Sequence, residues 1–188
     1  MSTAITKAYK DLALKWGIIM AIILVAIRNS VWIINPDTAF EQSKSSMLTV
    51  ISLIIFLVFL AYIGFQARKL TGFITSKLAF RTLAISILAY AAIGFAVDSA
   101  VFAINKERIE QKMEELKEET YSKMEEKGLT DEQIEQSMKW FDMFKPSVLF
   151  IFLVSLVKLG FNMLVALVMA QIVKRNPPEE IGLEPETT

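Results

Sequence analysis

The chain has 188 residues with twenty basic and twenty acidic side chains, so its formal net charge is zero and no basic field points to nucleic acid. It contains no Cys and no His, which excludes disulfides, thiol nucleophiles, imidazole general bases and the usual zinc sites. Hydrophobic residues make up 54% and charged ones 21%, and the two are segregated into long apolar runs and charged connectors. That pattern points to a membrane protein, because a helix crossing the hydrocarbon needs about 20 mostly apolar residues.

Four runs qualify, which predicts an all-α fold: a four-helix transmembrane bundle with an extramembrane helical hairpin between spans three and four. Spans one to three occupy residues 1–104, at about 16–34, 47–65 and 78–104. The first, Trp16 to Ile34, is stopped by Asn35-Pro36-Asp37, with Trp16 and Trp32 near its ends as interfacial aromatics. Lysines precede its apolar core as in a signal peptide. The residues that follow, Arg28-Asn29-Ser30, are no small-x-small cleavage site, so it reads as a retained span. The second, Met47 to Phe65, carries no charge. The third, Leu78 to Ile104, holds Asp98 and many small residues, with Ala92, Ala96 and Ala100 at i, i+4. Such a face lets helices approach closely in lipid, which predicts a central position in the bundle; self-association is the alternative. The fourth span, within 146–176, starts at Pro146, a good first-turn residue, and stops before Pro177-Pro178. The acidic tail, 177–188, reads as disordered.

The connector 105–145 reads as a charged helical hairpin. Ile109, Met113, Leu116, Thr120 and Met124 recur at helical spacing as one apolar stripe, with Glu and Lys on the other face. Gly128 is a natural helix stop. Thr130 with Gln133 forms a capping box, and Leu129 with Ile134 occupies the positions of a hydrophobic staple. Ile134, Met138 and Phe141 then share one side of a second helix. The aromatic stretch Lys139 to Lys145 suits the membrane surface. Nothing breaks the run from span three into the hairpin. A continuous helix from about Leu78 to Lys127, about 75 Å long, stands against a hinge near Asn105.

Basic residues cluster before span one (Lys7, Lys10, Lys15), between spans two and three (Arg68, Lys69, Lys77) and after span four (Lys174, Arg175). The positive-inside rule then places both termini in the cytoplasm and the hairpin outside. The hairpin's own eight basic residues are outweighed by twelve acidic ones.

Charges within spans cost about 2.5–3.5 kcal/mol on insertion scales. Arg28, Asp98 and Lys158 are such charges, and Asn162 follows Lys158 by one turn. Arg28 falls about 18 Å from the inner face, Asp98 about 24–30 Å from it, and Lys158 about 18 Å from the outer face. Helical side chains lean toward their own N-terminus, so Asp98 and Lys158 lean toward each other, and a shared polar cluster is expected in the outer half. The plainest reading is snorkelling with an Arg28–Asp98 pair that fixes helix packing, and Lys158 as a packing residue that satisfies Asp98. The alternatives are that a partner protein supplies a further carboxylate, or that an anionic or protonatable substrate completes the site.

The sequence has no phosphate-cradling glycine loop, no metal-ligand cluster and no nucleophile with a base, so neither an enzyme nor a cofactor is expected. The segment EEKGLTDEQIEQSMKWFDMFKPS, followed at once by a last span and a Lys-Arg stop, resembles a bacterial family of membrane proteins, the domain-of-unknown-function family four-one-nine-nine. The resemblance is most specific from about Asn105 to Arg175. It implies four spans with a charged hairpin before the last, and an inner-membrane location, but no activity. The expected function is that of a non-enzymatic accessory or assembly subunit, docking a membrane or extracytoplasmic protein through its hairpin. The alternative is a small oligomeric transporter or channel using the Arg/Asp/Lys cluster.

Overall fold

The computed structural model describes residues 3–34, 42–143 and 147–175, and side chains over 6–32, 46–139 and 147–175. Six helices follow in order: α1 Thr3–Ile34, α2 Gln42–Lys69, α3 Ser76–Ile104, α4 Lys106–Glu126, α5 Asp131–Met143 and α6 Val148–Val173. No strand occurs among the described residues; one isolated bridge pairs Ile74 with Arg175 through two hydrogen bonds of 3.0 Å.

Three stretches are long and apolar enough to cross a membrane: Ser46–Lys69, Ser76–Ile104 and Val148–Val173. The chain is therefore membrane-embedded by its helices. The expected first span lies inside α1, which starts at Thr3, ahead of the apolar run.

Local chemistry sets the helix ends. Thr75 is extended and its Oγ1 accepts from the Leu78 N–H at 3.4 Å, so α3 begins at Ser76. Ser147 caps α6 in the same way, accepting from the Phe150 N–H at 3.1 Å. The last span thus starts at Val148 behind a serine cap, not at Pro146, which lies outside the described residues, as do Asn35-Pro36-Asp37 and the acidic tail.

The bundle helices α1, α2, α3 and α6 alternate in direction. Ser86 donates to the Ala13 carbonyl at 2.9 Å while Arg28 pairs with Asp98, so α1 and α3 run parallel. Phe95 packs on Phe152 and Ser76 donates to Gln171, so α6 runs antiparallel to α3. Trp16 meets Tyr62 edge-on, which sets α2 antiparallel to α1. The core between them contains Met20, Leu24, Leu60, Ile63, Leu83 and Ile87, all fully buried. In lipid such contacts stabilise through dispersion and close fit, not through exclusion of water.

Close fit is sharpest at Gly17. A Cβ there would sit 2.8 Å from the Ser86 Cα and carbonyl oxygen, so only glycine permits this approach. The small residues that pack α3 are Ala79, Ser86 and Gly94. This corrects the alanine expectation: α3 is central, but Ala92, Ala96 and Ala100 are exposed on its outer side. The i, i+4 spacing identifies a face and leaves open which way that face turns.

The hairpin forms as α4 and α5. Gly128 adopts φ +73, and the Leu129 N–H reaches the Met124 carbonyl at 3.3 Å while Gly128 N–H reaches Glu125 at 2.8 Å, a Schellman stop. The capping box closes as expected: Thr130 N–H donates to Gln133 Oε1 at 3.2 Å and Gln133 N–H to Thr130 Oγ1 at 3.5 Å. Ile134 is buried, but Leu129 remains 37% exposed, so the staple is one-sided. Between α3 and α4 only Asn105 departs from the helix, at φ −105 and ψ 15. The ladder passes it on both sides, from Asn105 N–H to Val101 and from Ile109 N–H to Asn105. The rod is a near-continuous helix with a one-residue joint.

Candidate functional site

The site starts from Arg28 on α1, six residues before that helix ends, and Asp98 on α3, seven residues before Asn105. The helices run parallel, so the two side chains reach one level and form an ion pair between Arg28 Nη2 and Asp98 Oδ1. Asn29 supports the acid. Its amide donates to the Val25 carbonyl at 3.0 Å and reaches Asp98 at 3.5 Å, a long and weak contact. Gly94 lies under the guanidinium, with Arg28 Nη2 3.7 Å from where a Cβ would stand.

Lys158 departs from the expectation. It forms no ion pair among the described residues; its ammonium lies 5.4 Å from the centroid of the Tyr90 ring. The reason is the register of α6. Phe152 lies level with Phe95, so Lys158, further along, falls level with Tyr90. Tyr90 is eight residues before Asp98, or about 12 Å along α3. The lean of the lysine toward its own N-terminus does not close that gap.

Asn162 is 94% buried by complement of its 6% exposure, and its amide makes no hydrogen bond among the described residues. It faces a cavity of about 450 Å³ that it shares with Arg28, Lys158, Tyr90 and Ser52. The Ser52 hydroxyl is buried and without a partner. A second cavity of about 430 Å³ lies on the Asp98 side and is shared by Arg28, Asn29, Asp98, Lys158 and Ile109. A narrow gap of about 20 Å³ touches Arg28, Asp98, Lys158 and Asn162 together. The four expected residues therefore surround one space, with Arg28 and Asp98 bonded and Lys158 and Asn162 facing the opening.

Tyr90 and Asn29 were not singled out in the sequence. Asn29 follows a charged residue late in an apolar run, and neither it nor a tyrosine in such a run carries a signal until its neighbour is known.

The hairpin residues sort by depth. Ile134 and Met138 are buried against α4, whose Met113, Leu116 and Met124 are half-buried. The stripe is thus largely used inside the hairpin, and Ile109 alone reaches the intramembrane cavity. The Phe141 side chain and the surface placement of 139–145 fall outside the described side chains beyond Lys139. The outer faces carry local pairs, Lys106–Glu110, Lys112–Glu115, Lys123–Glu119 and Lys139–Glu135. Such exposed pairs within one helix contribute little to stability. The Lys123 ammonium, by hydrogen bond and charge, holds the Glu119 carboxyl below its ordinary 4.5.

Apolar helices around an intramembrane ion pair define a helical membrane protein. The chain belongs to the family described as Protein of unknown function (DUF4199), whose profile matches residues 15–175. No curated protein and no solved structure matches it.

Proposed function

We propose that the chain is a non-enzymatic, four-span protein of the bacterial inner membrane that acts as an accessory or assembly subunit, docking a protein partner through an extracytoplasmic hairpin. The span added to the three apolar stretches is α1, the first in the chain. Its apolar part lies parallel to α3 from Ala13 to Arg28, so a bilayer around α3 surrounds α1 as well. The orientation draws on one end of the bundle. The Tyr9 hydroxyl bonds Thr71 at 2.9 Å and Ile74 pairs with Arg175, which gathers Lys10, Lys69, Lys77 and Lys174 nearby. Basic residues at one end mark the cytoplasmic side.

The observation that carries the docking reading is the joint at Asn105. A near-continuous helix holds a self-packed hairpin beyond the spans, which a simple connector does not require. With its apolar stripe used internally, the hairpin offers its charged faces to a partner. The test is to replace Asn105–Lys145 with a flexible linker and purify the protein from native membranes in mild detergent. A stoichiometric partner that disappears while insertion persists supports the reading; unchanged recovery refutes it.

A second reading, a small oligomeric transporter, is favoured by the two cavities flanking Arg28. It requires solute flux in proteoliposomes that Lys158→Met abolishes, and a wild-type flux no greater than that of empty vesicles ends it.

A further inference from the structure

The cavity of about 450 Å³ has an unmet charge. Arg28 is paired with Asp98, but among the described residues Lys158 has only the Tyr90 ring beside it. Asn162, buried at 6% exposure, brings an amide with no hydrogen bond among the described residues. A cation and an amide around one space match an oxyanion: it offsets the lysine charge and accepts from the amide. A water cluster supplies hydrogen bonds but leaves the charge unbalanced.

The remaining walls are apolar, including Phe56, Leu53 and Phe161. Leu53 is 45% and Phe161 58% exposed, so the rim of the cavity opens toward the bilayer, between α2 and α6. Those helices touch at the other end, where Val173 packs on Gly64. A cation and an amide beside apolar, lipid-facing walls fit an amphiphile entering sideways.

We propose that this cavity holds an anionic phospholipid, its phosphodiester at Lys158 and Asn162 and its chains along Phe56 and Phe161. The inference is independent of hairpin docking and of transport, since it concerns resident binding.

Trp32 lines the same cavity and reports on it. In a Trp16→Phe, Trp140→Phe background, the protein is placed in phosphatidylcholine nanodiscs containing a small fraction of brominated lipid. Brominated phosphatidylglycerol is expected to quench Trp32 at about tenfold lower mole fraction than brominated phosphatidylcholine, the ratio one added charge-assisted contact gives. Lys158→Met should erase that ratio and Asn162→Leu should reduce it several-fold. Lys158→Arg should keep it, and so should Lys10→Met, at the other end of the bundle. Equal quenching by the two lipids overturns the proposal. Loss of the preference in Lys10→Met overturns it in favour of general surface attraction. Displacement of the lipid by millimolar inorganic phosphate overturns it in favour of a free-anion site. Circular dichroism of each variant identifies any that fail to fold; Asn162→Leu removes no charge and decides the matter if Lys158→Met is lost.

Discussion

Arg28 and Asp98, on α1 and α3, join side chain to side chain among apolar helices, where an unpaired charge is costly. Asp98→Asn leaves the guanidinium unpaired and is expected to destabilise the bundle by about 2–4 kcal/mol. Replacing both, as Arg28→Met with Asp98→Leu, should restore stability to within about 1 kcal/mol of the parent, because an apolar pair suits the surroundings. Thermal unfolding in nanodiscs measures both. A single variant as stable as the parent would mean that the pair contributes nothing to packing.

The contact of Gly17 with the Ser86 backbone leaves no room for a methyl group. Gly17→Ala should push α1 from α3 and cost about 1–3 kcal/mol, as overpacking does. Gly160 has nothing within 4 Å of a Cβ, so Gly160→Ala should be neutral or slightly stabilising through helix propensity. If the two variants unfold at the same temperature, the close approach does not hold the bundle.

At the hairpin turn, Gly128 at φ +73 occupies left-handed backbone. Gly128→Ala should cost about 1–2 kcal/mol, and Thr130→Ala about 1 kcal/mol through the lost cap. Both should open the turn to a soluble protease without changing the detergent-resistant bundle. Cleavage at the parental rate in both variants would show that the turn chemistry does not set hairpin order.

Glu119 has a lowered folded-state pKa owing to Lys123. The contribution of that pair is complete above the ordinary 4.5 and is lost as pH falls through the lower folded value. A carbon-13 titration should give a midpoint below 4.5 that Lys123→Met raises. A midpoint unaffected by the substitution would dismiss the pairing.

Features written in short stretches were legible in advance. The stop at Gly128, the box of Thr130 with Gln133 and the helical period of the hairpin depend on neighbours within one or two turns. The meeting of Arg28 and Asp98 was legible for another reason: two opposite charges of similar depth in lipid have few other solutions. The rest depends on rotation of whole helices about their axes. Lys158 beside Tyr90, and Ala92, Ala96 and Ala100 turned outward, follow from how α3 and α6 mesh, which no local period encodes. The caps at Thr75 and Ser147 lie outside the apolar runs, so hydropathy alone does not mark those helix starts.

The bridge between Ile74 and Arg175 has a consequence for biogenesis. Ile74 lies in the turn before α3 and is completely buried, yet its partner follows the last described helix. During synthesis α1, α2 and α3 emerge with that latch open. It shuts when the residues just past Val173 leave the ribosome. A chain stalled or clipped before Arg175 would keep its apolar helices in the bilayer but leave an unpaired backbone edge at the basic end, where a membrane protease could distinguish unfinished copies from finished ones.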